Sequence, residues 1–168
     1  MIDKIYVDID ENLNAILSYP QYNITTKAYI GKNGVTNDKV EGDGKTPLGE
    51  FDLGIVLSMN DSNYKLITEN MYFVDDINSK YYNTLVDINN IRKDFSSAEH
   101  LIDFKKQYEY LVEIKSNPNN IPNKGSCVFL HCKNLDKTEG CVSIDKEILK
   151  QIITLIDDNT KIVIRMIK

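Results

Sequence analysis

The sequence predicts a mainly β domain with two helices, an α+β fold. Most apolar residues alternate with polar ones at a period of two, which is typical of strands with one buried face. Only two stretches, near Ser96 and after Ser143, carry the start signals of helices. The chain of 168 residues is long enough for one domain with its own core and too short to expect two. We therefore expect a single domain over residues 1–168.

Alternation of apolar and polar side chains marks each predicted strand in turn, and turn residues such as Gly, Pro, Asn and Asp separate the strands. The strands are predicted at residues 1–10, 13–19, 24–30, 51–57, 108–114, 125–132 and 160–168. Strands therefore come first, last and in between, as expected for a mainly β domain.

Two helices are predicted from their N-terminal caps. Ser96 and Glu99 have the spacing of a capping box, which predicts a first helix with His100 in its first turns. Ser143 or Asp145 can cap a second helix. Its apolar face is predicted from Ile148, Leu149, Ile152, Ile153 and Ile156.

Residues 59–96 form a long polar connection that carries several aromatic side chains, among them Tyr72. A connection of this length in a compact domain is usually functional or disordered, and disordered segments are poor in aromatic residues. We expect an ordered flap or wall beside the functional site, with Tyr72 in contact with a substrate. The alternative is that its tyrosines only pack a small secondary core.

Composition excludes several classes of protein. The net charge of −5 argues against general nucleic-acid binding, which requires a basic face. No stretch approaches the roughly 18 apolar residues of a membrane span. The three cysteines cannot all pair with one another. A reactive thiol would leave such an odd count, and a reducing compartment without disulfides explains it equally well.

A histidine and a cysteine frame the most informative stretch. The predicted strand over 125–132 brings His131 to its far end, and Gly140 and Cys141 follow the polar loop 133–139. A thiol of ordinary pKa needs a base or a positive dipole beside it to act as a nucleophile. His131 can be the base, and the second helix can supply the dipole if Cys141 lies just ahead of it. Gly140 permits a sharp turn that directs the amides of residues 140 and 141 at an oxyanion.

Two alternatives remain open from the residues alone. Buried cysteines and lone histidines are more often structural than catalytic. A zinc site from His131, Cys132 and Cys141 is the weaker alternative, because the usual paired ligand spacing is missing. In an extended strand Cys127, Phe129 and His131 share one face, and Cys132 lies on the other as a small core residue.

Two separated motifs resemble one family. His131 followed by Thr138-Glu139-Gly140-Cys141 is similar to the signature of the L,D-transpeptidase catalytic domain, the YkuD-like family of bacterial cell-wall enzymes. The stretch 42–51, GDGKTPLGEF, resembles the Thr-Pro-x-Gly-x-Phe segment of the same family. The resemblance covers about residues 22–168, and the chain departs from the pattern at Glu139 and Ser143.

The resemblance implies the family's β-sandwich and its chemistry. Cys141 would attack the bond between a diamino acid and D-alanine in a peptidoglycan tetrapeptide stem, with His131 as base and amides near Gly140 holding the oxyanion. The Cys132 carbonyl would orient the histidine. An amine of another stem would then take the acyl group. We expect substrate contacts from Thr138, Ser126, Tyr72, His100 and Ser143.

The resemblance also implies partners and place. It implies no metal and no organic cofactor, peptidoglycan stems as partners and carbapenem-type inhibitors as ligands. We expect a monomer with no nucleic-acid partner, outside the cytoplasm in the cell wall or secreted, with any signal peptide removed from this chain. Water as acceptor would make the protein an L,D-carboxypeptidase, and a non-catalytic cell-wall-binding module is a further alternative.

Overall fold

The structure of the protein is a computed structural model, and it describes residues 3–167. Within these residues the chain forms many strands, one α-helix and three 3-10 turns. The strands are β1 Lys4–Ile9, β2 Ala15–Tyr19, β3 Ile24–Tyr29, β4 Val35–Thr36, β5 Thr46–Pro47, β6 Gly49–Ser58, β7 Lys65–Leu66, β8 Met71–Val74, β9 Leu85–Asp87, β10 Ala98–His100, β11 Tyr110–Ile114, β12 Phe129–Cys132, β13 Val142–Ile144 and β14 Lys161–Met166. The helix α1 covers Lys146–Ile153, and the 3-10 turns cover Pro20–Tyr22, Leu101–Asp103 and Gln107–Glu109.

Eight strands close into a ring, in the order β11-β12-β13-β3-β2-β1-β14-β6 and back to β11. The ring closes through β6, because its first half pairs with β14 and its second half pairs with β11. The predicted β-sandwich is therefore wrong. Strand β6 has ten residues and is long enough to pair with two neighbouring strands, so the sheet closes on itself as a barrel.

The inward faces of all eight ring strands form one apolar core, as alternation along the strands predicted. The buried face of α1, with Leu149, Ile152 and Ile153, packs into the same core. Asp145 is the N-cap of α1, since its carboxylate accepts hydrogen bonds from the amides of Glu147 and Ile148. The second predicted helix is thus confirmed with Asp145 as its cap, and Ile156 lies beyond its end.

A small antiparallel sheet, β10-β8-β9, packs on the outside of the ring. Its Phe73 contacts Phe129 of β12 edge to face, with ring centroids 4.9 Å apart. Both belong to a second apolar cluster, which also contains Cys127 and Cys141. Residues 59–96 therefore contain three short strands, β7, β8 and β9, where the sequence predicted only a long polar connection.

The two faces of β12 are as predicted. Leu130 and Cys132 point into the ring core, and Phe129 belongs to the outer cluster. The strand is shorter than predicted because Gly125 and Cys127 have left-handed backbone conformations, with φ of 107° and 54°. The regular strand begins only at Phe129.

The predicted helix near Ser96 is wrong. The Ser96 amide and hydroxyl donate to the Asp76 carboxylate, at 2.9 and 3.2 Å, and so do not cap a helix. Glu99 lies in β10, opposite Phe73 of β8. A pattern of four residues is a weak signal, and pairing with a neighbouring strand overrides it. The described residues therefore hold one α-helix where two were predicted.

The remaining strands lie where alternation predicted them, apart from small shifts at their ends. Leu13, predicted in the second strand, has a φ of 64° and lies in the turn before it. The parts of the first and last predicted strands at residues 1, 2 and 168 lie outside the described residues. Among residues 3–167, no helix has the length and apolar character needed to cross a membrane.

Replacing Leu130 by Ala tests the ring core. Leu130 has no exposed surface, so its loss leaves a cavity that we expect to lower the free energy of unfolding by about 2–5 kcal/mol. Leu135→Ala is the matched control because Leu135 is 69% exposed. Urea unfolding of both variants measures the difference, and equal stability of the two would contradict this assignment of the core.

Candidate active site

One large cavity lies between the outer face of β12, the loop 133–139 and the β10-β8-β9 sheet. Its volume is about 840 Å³. His131 and Cys141 both line it. The predicted base and the predicted nucleophile therefore reach the same space, although they are ten residues apart in the chain.

Strand pairing places His131 in this cavity. His131 lies opposite Leu111 of β11 and beside Ser143 of the parallel strand β13. Both neighbouring strands restrict the backbone, so the imidazole has a defined direction. The Tyr108 ring packs edge-on against it, with centroids 5.5 Å apart.

Hydrogen bonding determines the tautomer of His131. Its Nδ1 atom lies 2.8 Å from the Cys132 carbonyl oxygen. A carbonyl oxygen only accepts, so Nδ1 carries the proton and Nε2 has the free lone pair. Burial lowers the pKa of His131, which keeps the ring neutral near pH 7. His131 is therefore in the form that can accept a proton.

A tight turn before β13 carries Cys141. Gly140 has a φ of 141°, and a Cβ atom there would lie 2.9 Å from the Lys45 carbonyl oxygen. The Thr138 hydroxyl accepts from the Gly140 amide at 3.0 Å and donates to the Cys141 carbonyl at 2.6 Å. Both the backbone conformation and the lack of space explain why glycine precedes the cysteine.

Thr46 connects the first sequence motif to this turn. Its fully buried hydroxyl accepts from the Gly31 amide at 2.8 Å and lies 2.9 Å from the Gly140 carbonyl and 3.3 Å from the Cys141 carbonyl. A side chain 94 residues upstream of Gly140 thus holds the turn that carries Cys141. The Thr-Pro motif therefore supports the wall of the cavity.

The Cys141 thiol lies among backbone groups. Its Sγ donates to the Cys127 carbonyl oxygen at 3.1 Å and accepts from the Phe129 amide at 3.3 Å. Burial, and then the negative charge of Glu99, raise the pKa of the Cys141 thiol to about 12. The resting sulfur is therefore a protonated thiol.

The proposed help from the helix dipole is wrong. Strand β13 lies between Cys141 and the start of α1 at Lys146, so Cys141 does not precede the helix directly. The dipole effect decays within the first turn of a helix. The Phe129 amide and then the positive charge of Lys39 lower the pKa of the thiol instead, against the larger effect of burial.

The two amides predicted to bind the oxyanion, those of Gly140 and Cys141, differ in their hydrogen bonding. The Gly140 amide is already donated to Thr138. The Cys141 amide donates no hydrogen bond within residues 3–167. Of these two amides, that of Cys141 is therefore the one without an acceptor in the described part of the chain, and Gly140 shapes the turn.

The structure brings some predicted substrate residues to the cavity and not others. Thr138, Ser126 and Ser143 line it, although the hydroxyls of Thr138 and Ser126 already donate to the Cys141 carbonyl and to Glu41. Tyr72 and His100 do not line it; their rings stack on each other with centroids 4.5 Å apart. The His100 Nε2 atom also lies 2.6 Å from the Glu69 carbonyl oxygen.

The sequence analysis missed several lining residues, among them Tyr108, Glu99 and Lys39. Tyr108 was taken only as part of a strand, and Glu99 only as part of a capping box. Lys39 lies beside the turn that carries Cys141, where its ammonium donates to Asp43 at 2.5 Å and to the Lys45 carbonyl at 2.7 Å. The burial of Tyr108 and the approach of Lys39 depend on contacts distant in the chain, which local sequence patterns do not report.

The fold and the site together define a β-barrel domain with a cysteine and a histidine in one cavity. The sequence profile of the YkuD family, described as the L,D-transpeptidase catalytic domain, matches residues 3–164. The chain therefore belongs to the L,D-transpeptidase catalytic domain family, and the resemblance seen in its motifs is confirmed.

Several solved structures resemble the chain, and two of them are L,D-transpeptidases. An L,D-transpeptidase from Mycobacterium smegmatis is 11% identical, with a TM-score of 0.45, over 97% of this chain and 59% of that one. L,D-transpeptidase 1 from Mycobacterium tuberculosis is 14% identical, with a TM-score of 0.40, over 96% of this chain and 62% of that one. The chain thus spans about three fifths of their length. No curated protein matches the chain.

Replacing Thr46 by Val tests the connection between Thr46 and the turn that carries Cys141. The valine leaves the Gly31 amide and the Gly140 carbonyl without their partner, so we expect unfolding free energy to fall by about 2 kcal/mol or more. Thr25→Val on the exposed side of β3 is the matched control. Urea unfolding gives both values, and a Thr46→Val variant as stable as the control would contradict the role of this hydroxyl.

The protonation state of Cys141 predicts how it reacts with iodoacetamide. Only the thiolate reacts, so the alkylation rate should rise about tenfold per pH unit from pH 7 to about pH 10. Glu99→Gln should accelerate the reaction because it removes a negative charge near the sulfur. Peptide mass spectrometry follows Cys141 separately from Cys127 and Cys132. A rate that is already constant near pH 7 would indicate a preformed thiolate and contradict this assignment.

Proposed function

We propose that the protein is a peptidoglycan L,D-transpeptidase with Cys141 as its nucleophile. It cleaves the bond between the third-position diamino acid and D-alanine of a tetrapeptide stem and transfers the acyl group to an amine of another stem. The observation that supports this is the shared cavity of His131 and Cys141, with the His131 Nδ1 proton held by the Cys132 carbonyl. The family match supports the same class of reaction.

The first half of the reaction forms a thioester. The Cys141 sulfur attacks the carbonyl carbon of the scissile bond while its proton passes to Nε2 of His131. Because the thiol is protonated at rest, proton transfer accompanies the attack and is not completed before it. The Cys141 amide stabilises the oxyanion. The C–N bond then breaks, and the imidazolium gives its proton to the leaving amine of D-alanine.

The second half of the reaction releases the acyl group. A neutral amine attacks the thioester carbonyl, the C–S bond breaks, and the sulfur regains a proton through His131. The new amide joins two stems. Water in the place of the amine gives an L,D-carboxypeptidase by the same steps, which is the alternative activity. In both cases, the residues that react are Cys141 and His131.

Substrate contacts come from residues that line the cavity. Ser143 is completely buried, and its Oγ has no hydrogen-bond partner within the described residues, so its hydroxyl can pair with a polar group of the stem. Residues 59–96 contribute Asp75 to the cavity wall, which supports a role for this segment as a wall of the site. We place the enzyme outside the cytoplasm, where its substrate lies, and propose that it acts as a monomer.

A carbapenem tests the nucleophile. It should acylate Cys141, so the intact mass of the wild type should increase by one inhibitor, and Cys141→Ala should show no increase. Cys127→Ala is the matched control, since Cys127 lines the same cavity but holds its thiol towards the Phe73 carbonyl, and this variant should keep the adduct.

A digest of purified muropeptides then identifies the reaction by mass. Loss of D-alanine with cross-linking supports transpeptidation, and loss without cross-linking supports the carboxypeptidase. If the wild type forms no adduct and removes no D-alanine, the chain is a non-catalytic cell-wall-binding module and the proposal is wrong.

A further inference from the structure

The cavity that contains Cys141 has an acidic side. Glu99 of β10 lies opposite Phe73 of β8, and Asp75 directly follows the end of β8. Glu99 and Asp75 both line the cavity. Glu41 lines it as well, from the loop that precedes β5.

These three carboxylates receive hydrogen bonds from hydroxyl groups and not from cations. Tyr108 donates to Glu99, Ser97 donates to Asp75 at 2.5 Å, and Tyr82 and Ser126 both donate to Glu41 at 2.6 Å. Among the ion pairs of residues 3–167, none includes Glu41, Asp75 or Glu99. Hydroxyl donors orient a carboxylate but do not neutralise its charge.

The unbalanced negative charge is unfavourable in this setting. Burial, with the charges of Asp75 and Glu41, raises the pKa of Glu99 to about 7. A carboxylate near like charges and away from water is stabilised by a cation that enters the same space. The acidic side of the cavity therefore favours a positively charged ligand group.

A separate observation indicates that the cavity takes a polar ligand. Ser143 lines it with no exposed surface, and its Oγ is the buried side-chain oxygen without a partner in the described part of the chain. Ser143 lies beside His131 in the parallel pair β12–β13, so its hydroxyl is on the reactive face. A buried hydroxyl is unfavourable unless it finds a partner, which a polar ligand would provide.

The chemistry of the acidic side favours an organic cation. Residues 3–167 contain no group of three histidine, cysteine or acidic side chains placed to hold a metal ion. A primary ammonium group has three donors and one positive charge, and it can bind one carboxylate while two others act at longer range. Three lysines line the cavity, and none of them forms an ion pair with Glu41, Asp75 or Glu99 within residues 3–167. Lys39 is bound to Asp43 and the Lys45 carbonyl, and Lys32 is bound to Glu139.

We propose that Glu99, with Asp75 and Glu41 as flanking charges, is a subsite for a primary ammonium group of the peptide substrate. This inference rests on the proposed function and narrows its substrate class to peptides with a free side-chain amine. The ammonium comes from the acyl donor or from the acceptor. The role of Glu99 is recognition, and the reacting groups remain Cys141 and His131.

The test uses matched peptides. The donor is a synthetic tetrapeptide that ends in D-alanine and has L-lysine at its third position, and the matched donor has Nε-acetyl-lysine there. D-alanine release gives kcat and KM for the wild type, Glu99→Gln and the control Glu11→Gln, whose side chain is exposed in a turn before β2. Glutamine keeps an oxygen for the Tyr108 hydroxyl and removes the charge.

We expect the wild type to prefer the free amine by about tenfold or more in kcat/KM, as for other charge-assisted hydrogen bonds. Glu99→Gln should remove that preference through KM. Any change in kcat that follows from removing a negative charge near Cys141 should be the same for the free-amine and the acetylated donor. Asp75→Asn should reduce the preference by a smaller factor, because it removes only a flanking charge. Glu11→Gln should behave as the wild type.

A second series identifies the source of the ammonium. The donor in this series is the acetylated tetrapeptide, and the acceptor is a lysine tripeptide at varied concentration. The cross-linked product is measured by mass. A KM effect of Glu99→Gln on the acceptor alone assigns the subsite to the acceptor amine, and an effect on the donor alone assigns it to the donor. If D-alanine is released but neither series responds to Glu99→Gln, the ammonium subsite is wrong and the proposed function stands.

Binding provides a readout that does not depend on turnover. Calorimetry compares the free-amine and acetylated tetrapeptides on Cys141→Ala and on Cys141→Ala with Glu99→Gln. A loss of about tenfold in affinity, confined to the free-amine peptide, supports the subsite even if the wild type releases no D-alanine. If the free-amine peptide binds both proteins with equal affinity, the ammonium subsite is wrong.

Discussion

The buried Thr46 hydroxyl is the interaction on which the site depends. It joins the Gly31 amide to the Gly140 carbonyl and so ties three distant segments of the chain together. The turn at Gly140 has a left-handed backbone that few residues adopt, and a turn of this kind persists only when its surroundings hold it. Thr46 and Thr138 supply those contacts from opposite sides. The position of the Cys141 sulfur follows from them.

Burial also determines how the site can react. A thiol with a pKa of about 12 in the same cavity as a neutral histidine is not an ion pair at rest. In the proposed reaction the sulfur therefore becomes nucleophilic only when a carbonyl approaches and the proton can move. The Cys127 carbonyl holds the thiol proton until then. Such a resting state protects the sulfur from oxidation and alkylation, since both act on the thiolate. The low resting reactivity is thus compatible with a role in covalent chemistry.

Sequence periodicity was sufficient for the ring strands and for α1, because each of them buries one face and the alternation or the helical repeat records that face. The two faces of β12 followed from the same rule. The helix near Ser96 failed because its signal was a short cap pattern, and the partner that decided the outcome, β8, lies more than twenty residues earlier. Closure of the ring could not be read from the sequence, since it depends on which strands β6 joins.

In the candidate site, too, the residues close together in the chain were predicted, and those brought in from distant segments were not. His131, Cys141, Gly140 and Thr138 lie in one short stretch and were predicted together, and their contacts with the Cys132 carbonyl and with each other are local. Lys39, Glu99 and Tyr108 reach the cavity from three other segments. Tyr72 was assigned to substrate as part of the expected flap, and His100 from its place in the predicted first helix. Their stacking on each other shows that aromatic and imidazole side chains also pack for structural reasons.

The pairing of β14 with both β1 and β6 has a consequence for biogenesis. Lys161 lies beside Lys4, 157 positions earlier, and the same strand lies along the first half of β6. The barrel cannot close until residue 166 has left the ribosome, so the earlier strands keep their apolar faces uncovered until then. Contacts of such long sequence separation slow folding, and exposed apolar faces make a nascent chain of this kind prone to aggregation.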